Sequence, residues 1–192
     1  MSKEIIVLGG ANGSGKSTLA DFLIAETGFL FLNADEIEKT LKAQKVVGNT
    51  HLQAGRILFE RLENARENGV SFILESTLSG KTLLPILRRL RAEGYRLRLV
   101  YIFLESPTLC IERIKGRVQK GGHHVSDEDV RRRYYRSLRN FWTLYRVLAD
   151  EWVIYLNAEN RPLLVATGET EQTAEVLEIL YFNQFKHLLD ER

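Results

Sequence analysis

The stretch Gly10-Ala11-Asn12-Gly13-Ser14-Gly15-Lys16-Ser17 decides the fold, because it fits the phosphate-binding pattern G-x-x-x-x-G-K-[ST] at every fixed position. Its flanks agree with it. The apolar run Ile5-Ile6-Val7-Leu8 reads as a buried strand entering the loop, and Lys16 to Glu26 carries Leu19, Ala20, Leu23 and Ile24 at helical spacing on the way out. Glycines let the backbone curl until successive N–H groups, from Gly10, Ala11, Asn12, Gly13, Ser14 and Gly15 on to Thr18, point at an anion. The helix N-terminus adds the positive end of its dipole, Lys16 can reach the outer phosphates, and Ser17 offers a hydroxyl to Mg²⁺. A plain glycine turn accounts for the glycines but not for the Lys-Ser pair in a strand–loop–helix setting. A dinucleotide fingerprint fails, since the third glycine of G-x-G-x-x-G falls on Thr18. The expected ligand is a nucleoside triphosphate.

Composition narrows the class. The 192 residues suit one domain that buries about 70% of its unfolded surface. Net charge is only +2, so general affinity for nucleic acid is not expected. Cys110 is the sole cysteine, which excludes an internal disulfide and a multi-cysteine zinc site and reads as core filling on a helix. The first strand starts almost at once, leaving no room for a signal peptide, and the longest apolar run, Leu99 to Leu104, is far short of the roughly 20 residues of a membrane helix. No membrane association is expected, and the cytoplasm is the expected compartment.

Short apolar runs at Glu4–Leu8, Phe29–Leu32, Ser71–Leu74, Leu97–Phe103, Trp152–Leu156 and Leu163–Ala166 read as strands covered on both faces. Helical patterns separate them at Lys16–Glu26, Asp35–Ala43, His51–Asn68, Lys81–Ala92, Pro107–Lys120 and Asp127–Leu148, with a last helix over Thr170–Leu189. This alternation predicts an α/β, three-layer P-loop NTPase of the small-kinase type, with a mainly parallel sheet of five or six strands. With no repeat or linker in the sequence, residues 1–192 read as one kinase-like domain, of which 107–148 form a helical lid and its supports. Ligands then sit beyond the carboxyl ends of the strands, at a topological switch point.

The residues after the strand ends choose the chemistry. No strand ends in the Asp or Asp-Glu of motor and transporter ATPases; the ends read Leu32-Asn33-Ala34-Asp35, Leu74-Glu75-Ser76-Thr77, Leu104-Glu105-Ser106-Pro107 and Leu156-Asn157. Asp35 is placed to accept a proton from an acceptor hydroxyl, although Asp35 with Glu38 also reads as a helix cap, and Asn33 with Glu36 offers a competing cap that would free Asp35. Glu75, Ser76 and Thr77 are expected to hydrogen-bond the acceptor, with Glu75 alternatively assisting the metal and Thr77 or Ser79 alternatively capping a helix.

The lid segment runs from Glu112 to Val125. Arg113 and Arg117 share a helix face, Gly121-Gly122 breaks the helix, and Ser126 with Asp129 restarts one. Guanidinium forks at Arg113, Arg117 and Arg133 suit the spread charge of a transferring phosphoryl group. His123 and His124 either contact substrate phosphate or are joint residues. In the following helix Val130, Tyr134, Leu138, Phe141, Tyr145 and Leu148 make an apolar stripe, Arg132, Arg136, Arg139 and Arg146 a solvated basic one, and Arg133 shares a third face with Ser137 and Asn140. Leu177, Tyr181, Phe185 and Leu188 are expected to pack the last helix on the sheet, with a dimer face as the alternative.

The chain resembles the zeta-toxin-like branch of small phosphate-loop kinases, particularly its short members. The resemblance rests on Gly9 to Thr18, Leu32-Asn33-Ala34-Asp35-Glu36-Ile37, Leu74 to Gly80, Gly121-Gly122-His123-His124-Val125, and Val130 to Tyr134 with Ser137-Leu138. It implies ATP and Mg²⁺, a catalytic Asp at Asp35, and lid arginines near the γ-phosphate. The better-known members phosphorylate a hydroxyl of UDP-N-acetylglucosamine and are blocked by an antitoxin, so a nucleotide-sugar acceptor and an antitoxin-like partner are what it implies here. The expected activity is ATP-dependent transfer to a hydroxyl of a small molecule. Lys16, Asp35, Arg113, Arg117 and Arg133 would be catalytic, Ser17 would hold the metal, and Asp35, Glu75, Ser76, Thr77 and His123 would meet the acceptor. The alternative is a nucleotide-dependent ATPase switch with no small-molecule acceptor; monomer and dimer both remain open.

Overall fold

The computed structural model describes residues 3–119, 121–122, 124–158, 161–170 and 172–191. In chain order its elements are β1 (Glu4–Gly9), α1 (Lys16–Thr27), β2 (Leu30–Leu32), α2 (Ala34–Ala43), α3 (Thr50–Glu67), β3 (Phe72–Ser76), α4 (Leu83–Ala92), β4 (Arg96–Phe103), α5 (Pro107–Gln119), α6 (Asp127–Asn140), β5 (Glu151–Ala158), β6 (Arg161–Glu169), β7 (Gln172–Val176) and α7 (Ile179–Asp190). The strands form one sheet in the order β2-β3-β1-β4-β5-β6-β7. The pairings from β2 through β5 are parallel, and β6 and β7 add antiparallel pairings at one edge. β1 lies between β3 and β4, so the chain leaves it toward one side and later returns on the other, which opens the crevice where the phosphate loop sits.

Ile5, Ile6, Val7 and Leu8 have no exposed surface, because alternate side chains of this central strand enter opposite cores. Ile5 and Val7 join Phe72, Leu74, Leu99 and Tyr101 in the larger core, which α4 to α7 cover. Ile6 and Leu8 join Ile73, Val100 and Ile102 against Leu19, Ala20 and Leu23 of α1. Cys110 fills the larger core from α5, as its composition suggests. No helix among the described residues is long and apolar enough to cross a membrane.

The α/β, mainly parallel architecture is as expected, but the sheet has seven strands rather than five or six. The extra strand comes from the segment read as the start of the last helix. Residues 172–176 pair antiparallel with β6 as an edge strand, exposed at Gln172, Thr173 and Glu175, so they carry no apolar run to announce a strand. The last helix therefore starts at Ile179 and leaves Leu177 in the turn before it; Phe185 and Leu188 do pack into the core. The helix read over Asp127–Leu148 also divides. Beyond Asn140 it widens into a π turn over Phe141–Tyr145 and tightens to a 3₁₀ turn over Arg146–Leu148. That change of pitch takes Arg146 out of register with Arg132, Arg136 and Arg139. Arg146 is buried instead of solvated, its guanidinium 4.0 Å from the ring centroid of Trp142 and 5.6 Å from that of Trp152.

Candidate active site

The phosphate loop joins the end of β1 to the start of α1. Gly13 and Gly15 take φ of 83° and 102°, a left-handed backbone that side chains resist. Each is also crowded: a Cβ on Gly13 would lie 2.6 Å from the Cys110 carbonyl oxygen, and one on Gly15 would strike the Asn157 amide. Three buried polar atoms in and beneath the loop, Asn12 Oδ1, Ser14 Oγ and Asn157 Oδ1, have no hydrogen-bond partner. Such groups cost stability unless something pairs them, which fits a loop shaped to receive a polar ligand. Beside it lies a cleft of about 710 Å³ lined by Gly13, Gly15, Lys16, Thr18, Arg113 and Arg117 among others.

Lys16 is buried at the start of α1, where its ammonium donates to the Ala11 carbonyl at 3.1 Å and lies 3.7 Å from Glu75 Oε1. The other oxygen of Glu75 accepts from Asn33 Nδ2 at 3.0 Å. Burial pushes the Glu75 carboxyl above its ordinary value, the Lys16 charge opposes this, and the Asp35 charge adds to it. Asn33 is the cap of α2, its Oδ1 accepting from the amides of Asp35 and Glu36. Asp35 is thereby released from capping and stands exposed in the first turn of α2. A second cavity, of about 240 Å³, brings Asp35 together with Glu75, Ser76, Thr77, Arg133 and Lys16.

The end of α5 and the turn after it lie across the cleft from α2. Asp35, Lys39, Arg117 and His124 line a third cavity, of about 540 Å³. The amides of Gly121 and Gly122 donate to the carbonyls of Val118 and Arg117, closing the last turn of α5. Ser126 caps α6 by accepting from the Asp129 amide.

A family model described as zeta toxin matches residues 1–168. The chain belongs to the zeta toxin family. An uncharacterised protein of Haemophilus influenzae (strain ATCC 51907 / DSM 11121 / KW20 / Rd) is 31% identical over 134 residues, which cover 70% of this chain and 94% of that protein. Among solved structures, the AvrRxo1-ORF1:AvrRxo1-ORF2 complex with ATP shares the fold at a TM-score of 0.73 and 15% identity, covering 96% of this chain and 63% of the matched one. The PezAT chromosomal toxin–antitoxin system of Streptococcus pneumoniae does so at a TM-score of 0.67 and 17% identity, covering 98% and 82%. The chain thus spans less than two thirds of the AvrRxo1 chain it matches.

In this zeta toxin family member the loop residues Gly10 to Ser17 and Thr18 lie where the pattern puts them, with Ser17 and Thr18 exposed in the first turn of α1. Arg113 and Arg117 line the phosphate cleft, and Arg133 lines the Asp35 cavity instead, 3.8 Å from Asp129. His123 lies outside the described residues. Three residues that line these cavities have no site role in the sequence reading, where Glu38 appears only as the partner of Asp35 in a helix cap that Asn33 supplies instead. Asn157, at the end of β5, donates from Nδ2 to the Ser14 carbonyl at 2.8 Å, and its own carbonyl accepts from Arg113 at 3.4 Å. Its position after the apolar run Val153 to Leu156 was the available signal. Glu38 and His51 had none, because they meet only once α2 and α3 pack together.

Proposed function

We propose that this protein is an ATP-dependent phosphotransferase that moves the γ-phosphate of ATP to a hydroxyl of a small molecule. One observation carries the proposal: Lys16 lines both the phosphate cleft and the cavity that holds Asp35, Glu75, Ser76 and Thr77, so donor phosphate and acceptor would meet at one ammonium. Lys16 and the loop amides grip the triphosphate, and the unpaired atoms of Asn12 and Ser14 supply further polar contacts. Ser17, exposed at the start of α1, fits a Mg²⁺ that brings most of its ligands as water and phosphate oxygen, and such an ion would draw off charge from the phosphates. The acceptor oxygen attacks the γ-phosphorus, the bond to the β-phosphate oxygen breaks with its electron pair leaving on ADP, and Asp35 takes the acceptor proton. Arg117 with Arg113 or Arg133 neutralises charge on the moving phosphoryl group, which makes 107–148 a lid.

Family membership supports a nucleotide-sugar acceptor such as UDP-N-acetylglucosamine, and the toxin–antitoxin character of PezAT supports an antitoxin-like protein partner. The test is radiolabelled ATP with a panel of nucleotide sugars, nucleosides, sugars and small acids, run on wild type and Asp35→Asn. Transfer to a panel member that falls roughly 10²- to 10⁴-fold in the variant, with ATP affinity kept, supports the assignment. Nucleotide-dependent binding of a protein partner with no labelled acceptor would make the chain a switch instead.

A further inference from the structure

Glu38 is a buried carboxylate whose partners are all specific. Lys42 stands 2.6 Å from Oε1 one turn along α2, Thr50 Oγ1 donates to Oε1 at 3.4 Å, and His51 Nδ1 is 3.1 Å from Oε2. Lys42 already balances the charge, and Thr50 already ties α2 to the start of α3. The contact with His51 is different in kind, because that side chain is 76% exposed and adds no core packing. A buried group is holding a solvent-facing ring. The ring lines the same 240 Å³ cavity as Asp35, Glu75, Ser76, Thr77 and Arg133. Glu38 follows Asp35 by three residues on α2, so the proton-accepting carboxylate and the ring-holding one come off one helical surface.

We infer that His51 is a contact residue of the acceptor site, with Glu38 as its positioning residue. The inference rests on the phosphotransferase reading and adds a residue to its acceptor site. A carboxylate beside Nδ1 can only accept, so in the neutral ring the proton sits on Nδ1 and Nε2 carries the lone pair. Nε2 then takes a hydrogen bond from the ligand. Asp35 also takes a proton from it, so the acceptor molecule needs two O–H or N–H donors a short distance apart, one reacting and one held by His51. Arg133, with the Ser76 and Thr77 hydroxyls, serves the ligand's own acceptor atoms.

The experiment has two readouts on wild type, His51→Ala, His51→Gln and Glu38→Gln. Nitrogen-15 NMR of the histidine rings at mildly alkaline pH, with His51→Gln assigning the signal, should show the Nδ1–H form of His51, and Glu38→Gln should lose that preference. Steady-state transfer to UDP-N-acetylglucosamine, and to the best panel sugar beside its deoxy analogue, should show His51→Ala raising the acceptor KM about tenfold with a smaller effect on kcat and none on ATP affinity. His51→Gln, which can place an amide oxygen near the Nε2 position, should recover part of the loss. An Nε2–H ring, or an unaltered acceptor KM in His51→Ala with only a lower melting temperature, overturns the inference and leaves the kinase standing. Transfer only to monohydroxy acceptors overturns it too. No transfer by wild type to any panel member overturns both.

Discussion

Glu75 has two opposed surroundings, and their balance can be measured. Burial favours its neutral form, the Lys16 ammonium favours the charged one, and burial prevails, so the folded protein holds the carboxyl above its ordinary value. The folded state then binds this proton more tightly than the unfolded chain does. The contribution of Glu75 to stability accordingly falls as pH rises from the ordinary carboxylate value through its raised one, and stays reduced at neutral pH. Glu75→Gln keeps the shape and removes the charge. It should be more stable than wild type at neutral pH, with the advantage vanishing on acidification, as chemical denaturation at the two conditions would show. A less stable variant at neutral pH would mean that pairing with Lys16 outweighs burial. Cost at a site of this kind is retained for chemistry, not for folding.

Among the elements, α6 and the π turn after it act as a brace for the loop that follows β3. Ser137, Asn140 and Tyr145 donate to the carbonyls of Thr77, Leu78 and Gly80 in turn, and because Ser137 spends its proton on Thr77, the buried Tyr101 hydroxyl donates to Ser137. The loop needs a brace because Leu78 is held at φ 53°, uncommon for a residue with a side chain, while its side chain packs over Gly9. Asn140→Ala should therefore cost about 1 kcal/mol in denaturant unfolding and raise the acceptor KM through Ser76 and Thr77, with ATP affinity kept. An unaltered KM would show that the loop holds its shape without α6. None of this was legible in the sequence, where Ser137 and Asn140 share one face with Arg133 but their own partners, Thr77 and Leu78, lie 60 and 62 positions away. What the sequence did carry was local: the loop pattern, the unbroken apolar runs of the central strands, and the Asn33 cap that releases Asp35. The edge strand β7 escaped because half-exposed strands lack such runs. Arg146 escaped because a π turn shifts a helical stripe without leaving a pattern of its own.

For the molecule as a whole, Cys110 is a built-in reporter. It is fully buried on α5 with its carbonyl against Gly13, and burial pushes its thiol up to about 12. Alkylation should thus proceed only through global unfolding, at a rate matching the unfolded population in denaturant, and ATP should slow it by the factor its binding stabilises the fold. Labelling that ignores ATP would reveal a local opening of α5 instead. The contact between Lys16 and Glu75 has a kinetic consequence as well. On the proposed reading, in which Lys16 holds the triphosphate, Glu75 is a stand-in for phosphate until nucleotide binds. ATP arriving at Lys16 is then expected to displace the carboxylate, leaving Glu75 with Asn33 at the edge of the proposed acceptor cavity. The proposed reading therefore predicts a compulsory order of additions: nucleotide first, acceptor second. Product-inhibition patterns should show ADP competing with ATP and the phosphorylated acceptor competing with neither substrate, whereas random-order patterns would mean that the acceptor pocket is ready before the lysine is released.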